Sequence, residues 1–491
     1  MNVKYLSAFA VVLTLVCISC GAGSSSVSNS PPPPTSPNGK ISIVSSFAGD
    51  TRTCSPTSTG CPIKPDPVIA VGPMRIVLYT RLGLTVINRN GSVAQATVDP
   101  QSFWAAAGIP GILASNVIEP HGAYDIFTHR YVITQGVGQQ PGCGDLMAVS
   151  AADDPTQWKA INISGRCGDH NVTVGYDKNG IYTCEEDLTA SPPGSVCAAI
   201  PVADTQWTGS GGIVTTHLVV AVTSTGGIGD GRFAPSININ SSAGLSDPMV
   251  LVARPGVQIY PSGTPLLVNF RKWTWTDPNT PMLGAATSVS TGYTYYMNSF
   301  QTPPNSVTAQ PNSPSVPYLS GWEGGRNIQP VIDLAGNVWF TLASDIGNEN
   351  GNLGFYWFKV PVSSLTIAAS GVVYDNVGSS AISYGTAAID SNGNAYLFYE
   401  QGSTAEYWSH YVRVLPGGSS TMTAPVLLKA GGPNPITASS GQINTNTIRD
   451  GTFAAQSIDP TDLTKVWFYG QYANNPAPDV WVTWVSEVSF Q

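Results

Sequence analysis

One pattern recurs along the chain: a short apolar segment, a turn that contains an acidic residue, and a second segment rich in aromatic residues. Five copies are clear, and they occupy residues 122–133, 174–182, 331–340, 388–398 and 457–468. Their turn aspartates are Asp125, Asp177, Asp333, Asp390 and Asp459. Such an aspartate can accept hydrogen bonds from the turn it begins, and a glycine in the turn supplies positive φ. The repeat predicts one kind of β-hairpin used many times, which indicates the radially repeated sheets of a β-propeller.

Further segments extend the repeat to both sides of these copies. The long interval between Asp177 and Asp333 has room for two more sheets, with strand candidates at 247–260 and 285–297. A first repeat lies at 66–91, where Asn90-Gly91 is a hairpin-turn dipeptide. The sequence therefore predicts an all-β fold, a β-propeller of about seven blades with six or eight as the alternatives. Short loops and almost no helix are expected, and residues 101–107 are the one short helix candidate.

Composition agrees with this architecture and excludes one class of partner. The chain of 491 residues has 51 glycines and 39 prolines, and only 10% of its residues are charged. This is the composition of a turn-dense all-β protein. The formal net charge is −9 and no cluster of Lys or Arg is present. Because phosphate binding needs a basic face, a nucleic-acid partner is not expected.

The N-terminus predicts export. Lys4 precedes an apolar run over residues 6–18, which is too short to span a bilayer and fits the apolar region of a signal peptide. The run ends in Val-Cys-Ile-Ser-Cys20-Gly, which resembles a bacterial lipobox with Cys20 as the lipidated residue, although Cys17 stands where an aliphatic residue is usual. The resemblance implies an outer-membrane or cell-surface anchor, and a secreted soluble protein is the alternative. We expect residues 1–19 to be the signal peptide, 20–40 a Ser/Pro-rich tether and 41–491 one propeller domain.

The remaining cysteines form an even set, which favours disulfides in an exported chain. Proximity in sequence suggests the pairs Cys54–Cys61, Cys143–Cys167 and Cys184–Cys197. No Cys-x-x-Cys pair is present among these six cysteines, so a metal–thiolate site is not expected.

Several segments resemble one group of known proteins across most of the chain. The segments are Asp-Pro-Val-Ile-Ala-Val-Gly-Pro from Asp66, Asp-His-Asn-Val-Thr-Val-Gly-Tyr-Asp from Asp169, and Asp-Gly-Thr-Phe-Ala-Ala-Gln-Ser-Ile-Asp-Pro from Asp450. With the closing segments 466–472 and 481–490, they are similar to exported bacterial β-propeller proteins of mostly unassigned function, with a sialidase-like architecture. The resemblance implies a fold rather than a reaction. The sialidase Asp-box is itself unmatched, because the turn at Asp390 lacks the Thr-Trp of that motif.

Polar residues stand four to ten positions before the motif aspartates, where each innermost strand of a propeller would begin. Strand starts of this kind converge on the mouth of the central channel, where propellers bind ligands. The candidate catalytic residues are Glu119, His121, Asp169, His170, Glu323, Arg326, Tyr384 and Asp450, with Asp66 as the equivalent in the first repeat. The alternative is a structural lining in which these side chains cap turns and satisfy the backbone.

Two more features bear on ligands. Glu185, Glu186 and Asp187 follow a predicted strand and are the candidate ligands of a structural Ca²⁺, with a solvated acidic loop as the alternative; no other cofactor is expected. The chain has 12 tryptophans and 20 tyrosines. Trp273 with Trp275, and Trp481 with Trp484, are expected to expose some of their rings, and exposed indoles suit sugar stacking.

These observations leave two functions open for a protein expected to be monomeric. The first is a surface enzyme that acts on extracellular polysaccharide, as a glycoside hydrolase through paired carboxylates or as a lyase through His and Tyr. The second is a non-catalytic propeller that recognises a glycan, a peptide or a partner in the cell envelope. In both, the membrane is contacted only through the lipid anchor.

Overall fold

The computed structural model describes residues 39–51, 65–113, 116–138, 144–163, 172–187, 194–205, 213, 215–224, 233–253, 265–294, 311, 329–345, 353–374, 381–432, 454–474 and 481–491. Some predictions concern residues outside this part of the chain, namely those for residues 1–38 with Cys20 and those for the pairs Cys54–Cys61 and Cys143–Cys167. Within the described residues from Gly39 onward the chain forms one compact unit.

The described strands make up seven blades, here named blades 1 to 7, and two of these blades are joined by hydrogen bonds, so that six separate sheets result. The N-terminal strand β1 (Ile41–Thr51) belongs to blade 7. Blade 1 contains β2 (Val68–Val71), β3 (Arg75–Thr80), β4 (Gly83–Asn88) and β5 (Val93–Val98). Blade 2 contains β6 (Val117–Asp125), β7 (Arg130–Val137), β8 (Gly144–Ala151) and β9 (Asp154–Asn162). Blade 3 contains β10 (Thr173–Tyr176), β11 (Gly180–Asp187), β12 (Gly194–Pro201) and β13 (Val219–Ser224).

The second half of the chain adds the other four blades. Blade 4 contains β14 (Phe233–Pro235) and β15 (Ile237–Asn238), then β16 (Met249–Ala253), β17 (Pro265–Trp275), β18 (Pro281–Leu283) and β19 (Thr287–Thr294). Blade 5 contains β20 (Val331–Ile332), β21 (Asn337–Asp345), β22 (Leu353–Pro361) and β23 (Ala369–Val373). Blade 6 contains β24 (Ala381–Ile389), β25 (Ala395–Ser403), β26 (Glu406–Leu415) and β27 (Val426–Lys429). Blade 7 contains β28 (Ala455–Ile458), β29 (Lys465–Tyr472) and β30 (Val482–Phe490), together with β1.

The first strand of each blade lies innermost, and these strands follow one another around a closed ring. The neighbours are β2 and β6, β6 and β10, β10 and β14, β15 and β20, β20 and β24, β24 and β28, and finally β28 and β2. Parallel pairing joins β10 to β15 and β15 to β20, and it merges blades 3 and 5 into one continuous hydrogen-bonded sheet. The prediction of an all-β propeller with about seven blades is confirmed.

The ring is closed by the two ends of the described chain. Strand β1 runs antiparallel to β30 from Ile41 opposite Phe490 to Thr51 opposite Val482, with two shifts of register between these ends. The outermost strand of blade 7 therefore comes from the N-terminal side and its other three strands from the C-terminal side. Such closure ties the first blade to the last without a separate domain.

Apolar side chains between neighbouring blades form the core. On β6, Ala123 packs with blade 3 residues such as Val174, whereas the next residue, Tyr124, packs with blade 1 residues such as Val68. Successive strand side chains point to opposite faces of a sheet, so each inner strand contributes to two interfaces. Strands buried on both faces read as nearly continuous apolar runs, which is how β7 and β10 appear in the sequence.

Blade 4 differs from its sequence prediction. Segments 247–260 and 285–297 were expected to supply two sheets, but the described parts of both, β16 and β19, pair with β17 in a single sheet. The innermost strand of this blade is β14–β15, whose end carries Asn238 instead of aspartate. Asn238 Oδ1 accepts the amide of Asn240 at 3.0 Å, as the motif aspartates accept the amide two residues on. A sequence pattern that requires aspartate at this position therefore does not include the turn of blade 4.

The helix prediction is confirmed by α1 (Pro100–Ala106). Asp99 caps it by accepting the amide of Ser102 at 3.0 Å, and Pro100 occupies the first turn, where its missing N–H costs nothing. Its Phe103 and Trp104 are buried between blades 1 and 2.

One of the three predicted disulfides lies in the described residues and is confirmed. Cys184 on β11 and Cys197 on β12 stand directly opposite one another and are bonded. Strand β11 continues through Asp187, so the acidic triplet belongs to the strand instead of following it, and Glu185 pairs with Val196. Among the described residues no group of three or more His, Cys, Asp or Glu is arranged to hold a metal ion. A structural Ca²⁺ at this triplet stays a prediction.

Candidate functional site

The two ends of the central channel differ in chemistry. We call the end where the inner strands begin the mouth face, and the end where the motif aspartates turn the chain the turn face. At the turn face the channel is lined mainly by apolar side chains such as Ile237, Val331 and Ile389, and the cavity there is about 10 Å³. That volume is roughly what one water molecule needs. The described residues at this end therefore leave room in the channel for about one water molecule and not for a larger ligand.

The motif aspartates serve the fold. All five are buried, and each accepts at least one backbone amide of its own turn, as Asp333 does from Ala335 and Asn337. The predicted role of glycine is confirmed at Gly336 and Gly393, whose φ angles are 76° and 77°. Burial raises the pKa of Asp125 and of Asp177 to about 6, partly offset by the hydrogen bonds of their turns. These carboxyl groups are turn caps, which excludes them as channel ligands.

Glu119 begins the mouth-face part of β6 in an unusual backbone conformation. The register between β6 and β7 shifts between Ile118 and His121, so Glu119 and Pro120 form a β-bulge opposite Gln135. Glu119 has a φ of 32°, a left-handed value that costs free energy in a residue with a side chain, and it is only 4% exposed. Bulges are frequent beside active sites, where they redirect one side chain.

The same conformation recurs on the neighbouring inner strand. Asp66 precedes β2, has a φ of 43° and is buried. Like Glu119, it is an acid that immediately precedes proline at the start of an inner strand. Its carboxylate is bonded to the Nε of Arg81, so it is held as an ion pair. Two adjacent blades therefore present a strained acidic residue at equivalent positions of the mouth face.

His121 lies two residues further along β6 and is also buried, at 3% exposure. It stands opposite Thr134 of β7, whose hydroxyl donates to the carbonyl of Val172 in blade 3 at 2.7 Å. Glu119 and His121 therefore both lie in the first half of one inner strand, and their role in a catalytic site stays a prediction.

Gln135 supports this bulge from the adjacent strand. Its Oε1 accepts hydrogen bonds from the Oη of Tyr79 at 2.6 Å and from the Nε1 of Trp104 at 2.8 Å. Because an indole N–H can only donate, this contact fixes the amide orientation. The Nε2 of Gln135 is buried and has no hydrogen-bond partner among the described residues. A buried amide donor thus lies on the strand opposite the bulge that carries Glu119.

Tyr384 can be placed only through its backbone. It lies in β24 between Ser383 and Thr386, where the pairing with β25 shifts register. Gly385 is required there, since a Cβ would come within 2.3 Å of the Phe355 ring. Inner strands β6 and β24 therefore share a bulge at their mouth-face ends. Asp169, His170, Glu323, Arg326 and Asp450 lie outside the described residues.

Two ionisable residues that the sequence did not single out also lie toward the mouth face, on the second and third strands of blade 6. Glu400 Oε1 and His410 Nε2 are 3.8 Å apart, and both side chains are buried. His410 Nε2 is 2.6 Å from the carbonyl of Gln471 in blade 7, to which it donates. Burial lowers the pKa of His410 to about 4, so the ring is neutral at pH 7. No motif marks this pair, because the spacing from strand starts finds only inner-strand residues.

The expected exposed tryptophans are mostly buried. Trp273 and Trp275 are two residues apart on β17, hence on one face of the sheet, and both pack against Tyr182 of blade 3. Trp481 is buried too. The ring of Trp484 is covered by the ammonium of Lys429, 3.8 Å from its centroid. The prediction of exposed rings is therefore wrong for Trp273, Trp275 and Trp481, which are buried, whereas Trp484 is half-buried.

Within the described residues, no helix is both long and apolar enough to span a membrane. No family model and no curated protein matches the sequence.

Solved structures with which the chain aligns include several propeller enzymes. An ulvan lyase of polysaccharide lyase family PL25 is 10% identical over 90% of this chain and 95% of that one, with a TM-score of 0.39. The α-L-arabinanase of Penicillium chrysogenum is 11% identical over 77% and 94%, with a TM-score of 0.38. The sialidase of Trypanosoma rangeli is 10% identical over 81% and 56%, with a TM-score of 0.36. At these values the likeness carries no argument about function, and the fold assignment rests on the sheet order described above.

Proposed function

We propose that this chain is an exported propeller whose mouth face binds an extracellular polysaccharide and acts on it. The observation that carries the proposal is the bulge on β6, which holds Glu119 in a left-handed conformation next to His121 at the open end of an inner strand. Backbone strain of this kind persists where the surrounding structure maintains it, and it concentrates at functional sites.

The chemistry of this pair suits glycosidic bond cleavage. A buried carboxyl group in an apolar setting can be held protonated and serve as a general acid, and a second carboxylate completes hydrolysis. In that case Asp169, Glu323 or Asp450 supplies the second carboxylate. Alternatively, His121 or His170 removes a proton and Tyr384 donates one in a lyase reaction. A polar mouth face opposite a closed turn face restricts either reaction to one end of the channel.

Substitution of Glu119 tests the proposal. Glu119→Gln keeps the shape of the side chain and removes its acid function, so turnover should fall by about 100-fold or more. The measurement is a panel of acidic and neutral polysaccharides assayed for new reducing ends and for unsaturated products, which separates hydrolase from lyase. Glu487→Gln is the matched control, because Glu487 is similarly buried, at 6% exposure, but lies on β30, the third strand of blade 7. Its carboxylate accepts a hydrogen bond from Ser45 Oγ at 3.0 Å.

The thermal midpoint is measured for each variant. Loss of turnover in Glu119→Gln with an unchanged midpoint supports a catalytic role, whereas equal loss of turnover and stability indicates a structural lining. Unchanged turnover contradicts the proposed site. If wild-type protein binds a glycan on an array but releases no product, the chain is a recognition platform.

We also propose that the chain works outside the cytoplasm and is anchored through Cys20. The bonded Cys184 and Cys197 support export, because such bonds persist in oxidising compartments. A lipid on Cys20 predicts that the wild type partitions with membranes and that Cys20→Ser releases it into the soluble fraction. Fractionation with an antibody to the propeller measures this, and equal membrane partitioning of both proteins would contradict the anchor.

A further inference from the structure

A second cavity lies away from the mouth face, where the repeat is irregular. Blade 4 replaces the short hairpin turn by the longer segment 239–248, and a cavity of about 420 Å³ lies between this segment and the Asp333 turn of blade 5. Small-molecule pockets typically measure about 300–1,000 Å³. The cavity therefore has room for a ligand of one or two sugar rings, and it is formed where the turn of blade 4 departs from the repeat.

Lys272 contributes a positive charge to this cavity and is not held in an ion pair by the described residues, although the carboxylate of Asp247 also lines the cavity. Its Nζ donates to the carbonyl of Val362 at 2.7 Å, and no ion pair to Lys272 is present among the described residues. An ammonium has three donors, so this contact leaves two for another acceptor. Burial lowers the pKa of Lys272, and no carboxylate offsets the effect. A ligand carboxylate would supply the missing partner in a charge-assisted hydrogen bond.

Apart from Asp247, the other polar side chains that line the cavity are neutral donors and acceptors. Asn238 uses its Oδ1 to accept the amide of Asn240, so its Nδ2 remains as a donor. The hydroxyl of Ser363 also lines the cavity, and Ile332 provides an apolar wall. Asp247 lies at the same cavity, but its Oδ2 accepts the amide of Gly244 at 2.5 Å, which holds this carboxylate within its own loop. A ligand with hydroxyl groups on one face and carbon atoms on the other would match this lining.

We propose that this cavity is a second ligand site and that it takes a small polyhydroxy carboxylate, such as a single uronic acid. The carboxylate pairs with Lys272, and ring hydroxyls exchange hydrogen bonds with Asn238 and Ser363. The site lies on the turn face, so it is distinct from the mouth face and does not depend on the function proposed there.

Titration calorimetry with D-glucuronate and D-glucose as probes tests this site in the full propeller chain. Glucuronate should bind, and glucose, which lacks the carboxylate, should bind at least about tenfold more weakly. Lys272→Met should weaken glucuronate by about tenfold or more. Lys359→Met is the matched control and should bind as the wild type does, because Lys359 belongs to the same region but lies over the Trp339 ring, 5.0 Å from its centroid, and does not line the cavity.

A second variant keeps the test decisive if Lys272→Met fails to fold. Asn238→Asp restores the residue that five other blades use at this turn, so the turn is retained, while a negative charge enters the cavity and should weaken glucuronate by about tenfold. Absence of glucuronate binding to the wild type overturns the proposal. Equal affinity for glucuronate and glucose, or full affinity in Asn238→Asp, overturns it as well.

Discussion

At the scale of single residues, the repeated aspartate does more than cap a turn. In four of the five motifs it also accepts a hydrogen bond from an aromatic side chain on the next strand. The donors are Tyr182 Oη to Asp177, Trp339 Nε1 to Asp333, Tyr396 Oη to Asp390 and Trp467 Nε1 to Asp459, at 2.9 to 3.1 Å. One carboxylate therefore fixes both the turn and the rotamer of a large core ring, which explains why acidic turn and aromatic strand recur together.

The same burial makes these groups sensitive to pH. Burial raises the pKa of Asp50, Asp125 and Asp177 to about 6, above the ordinary value of 3.8 that an unfolded chain would have. The folded state therefore binds more protons than the unfolded state between these two values, and stability falls as pH rises through that window. Their contribution is fully present below about pH 4 and lost above about pH 6. Asp459 differs from these three residues. Burial raises its pKa too, but hydrogen bonds from Arg89, Thr461 and Trp467 outweigh this effect, so the pKa of Asp459 is lowered.

Asp177 is the position at which this effect can be isolated. Asp177→Asn should retain the turn, because Asn238 accepts the equivalent amide in blade 4, and it should reduce the fall in thermal midpoint between pH 4.5 and pH 7.5. Asp177→Ala should lose about 2 kcal/mol or more, since it leaves two turn amides and the Tyr182 hydroxyl without their acceptor. Melting curves at both pH values measure these changes. A steeper pH dependence in Asp177→Asn than in the wild type would contradict the assignment.

At the scale of elements, the sequence predicts the five hairpins that use aspartate and the first repeat at 66–91, but it misses the turn of blade 4. Blade 1 turns at Gly72, where a Cβ would lie 2.0 Å from the Tyr131 hydroxyl of blade 2, so a contact from the neighbouring blade selects glycine. Blade 4 turns at Asn238 and continues into a longer loop. The local sequence does not show why blade 1 needs glycine, because the reason is a contact with blade 2. It does not show the turn of blade 4 either, because this turn departs from the repeat.

The candidate site shows the same division between local and tertiary information. The positions of Glu119 and His121 at a strand start follow from counting back from Asp125, which needs only the repeat. The bulge that sets the φ of Glu119 depends on the register with β7, and the pairing of Glu400 with His410 depends on β25 meeting β26. Register and cross-strand contacts are set by packing, so a sequence without visible periodicity at these sites does not specify them.

At the scale of the whole molecule, the ring depends on a strand contributed from the N-terminal side. Strand β1 pairs along its length with β30, and its contacts extend beyond that pair. Asp50 accepts from Thr85 Oγ1 in blade 1 at 2.9 Å, Thr483 Oγ1 donates to the Asp50 carbonyl at 2.7 Å, and the Phe47 ring lies 6.2 Å from that of Trp467. This strand therefore joins blades 7 and 1 as well as completing blade 7, although many of its side chains are exposed.

Removal of β1 should open the ring. A chain that lacks residues 21–51 loses the β1–β30 pairing and exposes the edge of β30, so its free energy of unfolding should fall by several kcal/mol, about the scale of a small domain's whole stability. A chain that lacks residues 21–38 retains β1 and is the matched control, with the thermal midpoint of the wild type expected. Melting curves and light scattering measure both, and aggregation is expected only for the longer deletion. Equal midpoints for the two deletions would show that seven blades hold together without this strand, because packing between inner strands such as β2 and β28 would then suffice to close the ring.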